Sequence, residues 1–335
     1  MSRESSKIRR NNSDKIMKMM FHKRKAVKAE MSEVAGISVV TINSLVSELV
    51  AENHLIRGAY QKQETGRPAM EYHFNYDKVF YLLISIQEKQ DNQPERELEA
   101  VIKVVNMEGT EVISSKKYFN DISIKSIGDI IDEYTHEKYE IGKIGISIPG
   151  KISNGVITSS WYGRFDGWNI KKALHEVTHL PIEIQNDAHI ITMGICLEKD
   201  IPLDQSIVGF FYPEKSMPGI TIFSKNQLIE GRNGLAGEAK YLPMLMDRKT
   251  PDTAVELADN LSKIMAVYNV VIAPDVFIIA TQNVDEDMIK AAIENDKDIQ
   301  RQPNAPEICF GSHFQNSITH GLLWLVTKDT IYKMN

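Results

Sequence analysis

The feature that most constrains this chain is a strand, turn, helix and strand run from Gly145 to Asp187. A short apolar strand, Ile144 to Ile148, stops at Pro149-Gly150, a tight turn. A loop containing glycine and tryptophan, an amphipathic helix and a second strand, Ile182 to Ile184, come next, and that strand ends in Gln185-Asn186-Asp187-Ala188. Two strands joined through a helix form a βαβ unit, which commits this stretch to an α/β layer. Polar groups just past the carboxyl ends of such strands are where small ligands usually sit. Asn186 and Asp187 supply an amide and a carboxylate, the pair that suits a polyol. The competing reading is that Asp187 only N-caps the helix beginning at Ala188.

A chain of 335 residues is long enough for two or three domains with substantial cores. No apolar run reaches the roughly 18 residues of a membrane span, and the polar, basic N-terminus lacks a signal-peptide core. Cys196 and Cys309 stand far apart and offer neither metal spacing nor a disulfide framework, so a reducing, cytoplasmic location is expected. Charge is unevenly spread. Over residues 1–70, 13 Lys and Arg face 7 Asp and Glu, net +6; the remainder holds 26 against 38, net −12. A basic head on an acidic body points to a polyanion met by the head alone.

The head reads as three helices and a hairpin. Residues 13–22 form the first helix, with Ser13 as N-cap and Ile16, Met19 and Met20 on one face. Lys28 to Ala35 is a second helix closed by Gly36, and Ser38 caps a third whose apolar positions Ile42, Leu45, Val46, Leu49 and Val50 keep helical spacing. Helix, glycine turn and capped helix make a helix-turn-helix pattern. Two strands, Leu55–Arg57 and Glu71–Phe74, flank a polar hairpin and add a wing. Plain packing of three helices is the bland alternative, and the local positive charge weighs against it. Yet the exposed start of the third helix carries no Arg or Lys. Base reading therefore falls to Thr41, Asn43 and Ser44 next to the cap Ser38, with methyl contacts from Val39 and Val40. Lys25, Lys28 and Arg67, with neighbouring basic residues, supply phosphate contacts.

Several motifs together resemble one family. Ile148-Pro149-Gly150, a tryptophan before a helix, Asn186-Asp187-Ala188 and the glycine-rich turn Glu230 to Glu238 ending Ala236-Gly237-Glu238 follow the order seen in the ROK family of sugar kinases and sugar-responsive repressors. The wing tip, Thr65-Gly66-Arg67-Pro68, resembles the wing of its repressors. The resemblance implies an N-terminal winged helix-turn-helix over residues 1–76, followed by a two-lobed, actin-like (ribonuclease H-like) sugar-kinase fold. Its first lobe would be residues 77–187 plus 314–335, and its second 188–313. It also implies that Asn186, Asp187 and Glu238 hydrogen-bond sugar hydroxyls, Asp187 being the catalytic base in the kinases. Gly150, at the tight turn, and Trp168, offering an aromatic face to a sugar ring, complete the candidate set.

Other family features are missing. The kinases hold ATP with glycine-rich hairpins, because residues without Cβ let backbone N–H groups close on phosphate. The three corresponding places read Ser85 to Asn92 without glycine, Gly209-Phe210-Phe211-Tyr212, and Ala280-Thr281-Gln282. Tyr241 stands where the family's zinc-binding histidine would be, and the cysteine cluster beyond it is absent. No cofactor and no metal are expected. Two decoys fall away. His175-Glu176-Val177-Thr178-His179 matches the HExxH pattern. On a helix whose core stripe is Ile170, Ala173, Leu174 and Val177, however, both histidines face solvent, and Pro181 ends the helix too early. Glycines 231, 234 and 237 are spaced GxxGxxG, which is not the dinucleotide fingerprint.

The resulting expectation is a cytoplasmic regulator, a repressor acting as a homodimer or homotetramer on a palindromic double-stranded operator. A small carbohydrate effector would bind in a kinase-like but inactive cleft. Two alternatives stand beside it: a ligand-independent or protein-controlled regulator of the same family, and an ATP-dependent sugar kinase with a DNA-binding head.

Overall fold

Alternation of buried residues along the strands fixes how the layers stack. The computed structural model describes residues 3–61, 68–88, 98–136, 138–160, 163–213, 216–245, 250–282, 284–311 and 314–334.

Helix α1 (Arg3–Lys23) begins well before Ser13, which lies inside the helix and does not cap it. Only its second half buries apolar side chains, Ile16, Met17, Met20 and Phe21. The earlier turns are polar and partly tied down by an Arg9–Glu48 ion pair, so no apolar period marks them in the sequence. A short strand β1 (Lys25–Val27), unforeseen in the sequence, leads into α2 (Lys28–Ala35). Gly36 terminates α2 in the left-handed region, φ 64°, where a residue without Cβ is favoured. The Ser38 side chain caps α3 (Val39–Ala51) by accepting from the Thr41 N–H, and Ile42, Leu45, Val46 and Leu49 point into the core. Strands β2 (Leu55–Gln61) and β3 (Ala69–Phe74) pair antiparallel, and β1 adds to the other edge of β3.

The body follows as β4 (Phe80–Glu88), β5 (Leu98–Asn106), β6 (Glu111–Phe119), α4 (Ile124–Thr135), β7 (Ile141–Ile148), the hairpin β8 (Lys151–Ser153) and β9 (Val156–Thr158), α5 (Ile170–His175) and β10 (Ile182–Asn186). Then come α6 (Asp187–Glu198), β11 (Ile207–Tyr212), β12 (Gly219–Ser224), β13 (Gln227–Leu228), α7 (Ala254–Val271) and β14 (Val276–Thr281). Helices α8 (Glu286–Asn295) and α9 (Lys297–Gln300), β15 (Glu307–Phe310) and α10 (Phe314–Thr327) complete it. Among the described residues these strands make two five-stranded sheets, ordered β10-β7-β4-β5-β6 and β13-β12-β11-β14-β15. Each sheet has an antiparallel meander on one side and two parallel strands on the other, so one topology is used twice. This is the mixed α/β, actin-like arrangement.

Helices α6 and α10 lie between the sheets. Tyr81 and Leu83 of β4 and Ile207, Val276 and Ile278 of the second sheet share one apolar cluster with Ile190, Met193, Leu322 and Val326. The alternate residues, such as Leu82 and Ile84, or Val208 and Phe277, face outward onto α4 and α5 or onto α7 and α8. The two central helices touch through glycines: a Cβ on Gly194 would sit 1.7 Å from the Ser317 carbonyl oxygen, and one on Gly321 would sit 1.9 Å from that of Ile190. Helix α10 stops at Thr327, where the Thr330 N–H closes a turn on the Thr327 carbonyl. The chain after it folds back onto the head, where the Tyr332 ring lies 5.3 Å from Phe21 and 5.7 Å from Phe74.

Helix α5 is shorter than its sequence suggests. Val177 and Thr178 N–H groups both turn back to the Leu174 carbonyl, so Val177 leaves the helix and is exposed instead of joining the core. His175 and His179 are exposed as expected. No group of His, Cys, Asp and Glu among the described residues could hold a metal ion. No single described helix is long and apolar enough to cross a membrane.

Candidate ligand cleft and nucleic-acid interface

Strand β10 and helix α6 meet without a connecting loop, so the last strand residue and the first helical residue both project at the sheet's carboxyl edge. Asn186 is the N-cap of α6; its Oδ1 accepts from the Ala188 N–H at 3.0 Å. Its Nδ2 donates to the Gly150 carbonyl at 3.0 Å, which joins the ends of β10 and β7. A side chain on Gly150 would meet Ile157 Cγ2 at 2.9 Å and Ser160 Cβ at 3.0 Å, so this turn has no room for one. Asp187 is the first helical residue and not the cap, which removes the simplest structural explanation for it. Its Oδ1 also accepts from the Ala188 N–H, at 2.9 Å. Burial pushes its carboxyl up to about 6, against the opposing pull of that hydrogen bond and of the Lys151 ammonium.

The opposite wall is the glycine turn before α7. Gly231, Gly234 and Gly237 all have positive φ, and a Cβ on Gly237 would lie 2.3 Å from the Ile220 carbonyl oxygen. This geometry sets Glu238 beside Gly219 of β12. The Glu238 carboxylate is flanked by two ammonium groups, Lys151 at 3.9 Å and Lys240 at 3.5 Å. Three polar links cross from the first sheet's side to the glycine turn. Lys151 Nζ donates to the Ala236 carbonyl at 3.2 Å, Lys240 Nζ to Ser159 Oγ at 2.8 Å, and Gln185 Nε2 to Glu230 Oε1 at 3.0 Å.

Lys151, Gln185 and His189 were missed in the sequence. Lys151 is 4 % exposed, and burial lowers its ammonium from the ordinary range while Glu238, Asp187 and Glu230 oppose that shift. Gln185 Oε1 accepts from the Asn186 N–H at 2.7 Å and lies 3.1 Å from His189 Nδ1. An oxygen already accepting there requires the proton on Nδ1. Burial keeps that imidazole neutral, lowering it to about 3. The one available signal was position: Gln185 precedes Asn186 at the strand end, and Lys151 follows Gly150. Trp168 is half-buried, and its ring meets buried Phe165 edge-on at 5.2 Å, a core contact. Trp161 lies outside the described residues, and Tyr241 is exposed.

On the head, the chain bends by 114° between α2 and α3. Val39 and Val40 are 60 % and 80 % exposed at the start of α3, where the sequence anticipated an open face. The polar residues of that face are engaged. Ser38 Oγ lies 2.9 Å from Thr41 Oγ1. Asn43 Oδ1 accepts from Lys28 Nζ at 3.0 Å, and Ser44 Oγ accepts from Arg9 at 3.4 Å. Lys25 pairs with Glu71 at 3.2 Å, which draws it towards β3. Arg67 and the rest of the wing tip up to it lie outside the described residues.

Residues 100–252 match the model of the ROK family. The chain is 23 % identical over 237 residues to the xylose repressor of Bacillus subtilis, an alignment covering 70 % of this chain and 61 % of the repressor's length. In three dimensions it resembles a ROK family transcriptional regulator, a homologue of the E. coli MLC protein, with TM-score 0.68 at 15 % identity over 97 % of both chains. It also resembles a ROK family glucokinase from Streptomyces griseus in complex with glucose and AMPPNP, with TM-score 0.53 at 14 % identity over 72 % of this chain and 98 % of the enzyme.

Proposed function

We propose that this chain, residues 100–252 of which match the ROK-family model, is a sugar-responsive, DNA-binding transcriptional regulator, a repressor whose kinase-like cleft does not catalyse. The observation that carries this reading is convergence on Lys151: it follows Gly150, whose carbonyl Asn186 holds, its ammonium lies 3.9 Å from Glu238, and the Asp187 carboxylate acts on it. Carboxylates and amides brought together there match the alternating donors and acceptors of a polyol. The named relatives support it, since one is a xylose repressor and another, matched over 97 % of both chains, is a transcriptional regulator. The glycine-poor places where nucleotide loops are expected argue against phosphoryl transfer.

In this reading residues 1–76 are a winged helix-turn-helix, with α3 as the recognition helix and Lys25 and Arg67 close to phosphates. The division of the body into residues 77–187 plus 314–335 and 188–313 belongs to the same proposal, as does a homodimer or homotetramer on a palindromic operator. Sugar binding favours one arrangement of the lobes, and α10 with its trailing Tyr332 carries that difference to the head.

A second reading has its own support. Lys151 from the opposite side and Lys240 from the turn's own segment already satisfy Glu238, as a ligand's hydroxyls would, which suits a ligand-independent regulator. Calorimetric titration of the purified chain with neutral monosaccharides separates the two: heat of binding that Asp187→Asn removes supports the sugar sensor, and its absence across the panel favours the second. Titration with Mg-ATP should give no heat. Phosphorylation of a sugar dependent on Asp187 would overturn the non-catalytic reading.

A further inference from the structure

Resting on the DNA-binding reading above, we infer that Lys28 and Asn43 act as one donor-only unit that reads guanine in the major groove. The recognition helix α3 has no Lys or Arg in its exposed first turns, so any cation at its face has to come from elsewhere. Lys28, the first residue of α2, provides one. Its ammonium lies 3.0 Å from Asn43 Oδ1 and 5.5 Å from the centre of the Tyr72 ring. Two contacts hold it, so it is not a loose side chain following the nearest phosphate.

The orientation of the Asn43 amide follows from chemistry. An ammonium has three donors and no acceptor, so the amide atom facing it must be the oxygen. Asn43 then turns its NH2 group outward from an exposed position, with the remaining Lys28 N–H groups beside it. A free asparagine reads adenine by donating to N7 while accepting from the N6 amino group. Here the acceptor is taken up by Lys28, and an approaching N6 amino group would meet an ammonium, donor against donor. Guanine presents two acceptors in the major groove, O6 and N7, which match the exposed donors. Cytosine presents a donor and is rejected; thymine presents a single acceptor. The sequence on its own suggested a phosphate role for Lys28, and the contact with Asn43 moves it to base selection.

The test is selection of binding sites by the full-length protein from a randomised duplex library, for the native chain, Lys28→Met, Lys28→Arg and Asn43→Ala. The native chain should enrich a motif containing a guanine position that Asn43→Ala flattens. Lys28→Met should free the amide oxygen and shift that position towards adenine, lowering the guanine-to-adenine ratio by about tenfold or more. Lys28→Arg, still donor-only, should keep guanine and also shows that changes at this position leave the fold intact. The inference is overturned if Lys28→Met weakens all sequences alike with the motif unchanged, the mark of a phosphate contact. It is equally overturned if the position flattened by Asn43→Ala is not guanine in the native motif. A native chain that enriches no motif would instead bring down the DNA-binding reading itself.

Discussion

Replacing Asp187 by Asn should make the protein more stable near neutral pH and less able to bind its ligand. The carboxyl is raised from the ordinary 3.8 to about 6, first by burial. At about 1.4 kcal/mol per tenfold, that shift corresponds to about 3 kcal/mol by which the folded state disfavours the ionised form. The sign follows from proton linkage. A group whose folded pKa is raised stabilises the fold fully below its unfolded pKa, and that contribution is lost as pH rises through about 6. An asparagine keeps the shape and the oxygen that accepts from the Ala188 N–H, and it never ionises. Unfolding in urea, followed by tryptophan fluorescence, reports on the body because Trp161, Trp168 and Trp324 all lie there. At about pH 7.5 Asp187→Asn should gain up to about 3 kcal/mol over the native chain, and at about pH 3.5 the two should nearly coincide. A variant less stable than the native chain at neutral pH, or equally shifted at both, would refute the picture of a desolvated functional carboxylate.

Three further substitutions probe the elements around it. Asn186→Ala removes the cap of α6 and leaves the Gly150 carbonyl without its partner, and should cost about 1–3 kcal/mol in the same urea experiment. Gly194→Ala places a methyl 1.7 Å from the Ser317 carbonyl oxygen, so α6 and α10 must separate; a loss of at least about 1–3 kcal/mol is expected. Tyr332→Ala removes the ring that meets Phe21 and Phe74 and should weaken the dependence of operator affinity on sugar more than operator affinity itself, measured by fluorescence anisotropy.

Much of this was legible because backbone requirements leave marks. Gly36 and Ser38 give away the turn and cap between α2 and α3, and Thr253 gives away the start of α7, because few residue types serve at those positions. Asn186 and Asp187 stand out in the sequence as polar residues at the end of a strand, whereas Glu238 enters only through the family resemblance. What stayed hidden depends on tertiary contact. The early turns of α1 have no apolar period, and β15 is too short to show alternation. Val177 has the spacing of a core residue, but the helix ends before it. Lys151 reads as a surface lysine until the glycine turn folds over it and supplies the Ala236 carbonyl. His189 carries no mark in the sequence either, and only its burial and its bond to Gln185 show a neutral, structural imidazole.

The most direct measurement is operator affinity with and without sugar, on a duplex recovered by site selection. Fluorescence anisotropy on the full-length protein, across a panel of neutral and amino monosaccharides, should find at least one that changes affinity by about fivefold or more. Asp187→Asn should bind the same duplex with nearly native affinity and show no such response. Tight operator binding that no sugar in the panel alters, or a sugar response that survives intact in Asp187→Asn, would contradict a sensor built on this cleft.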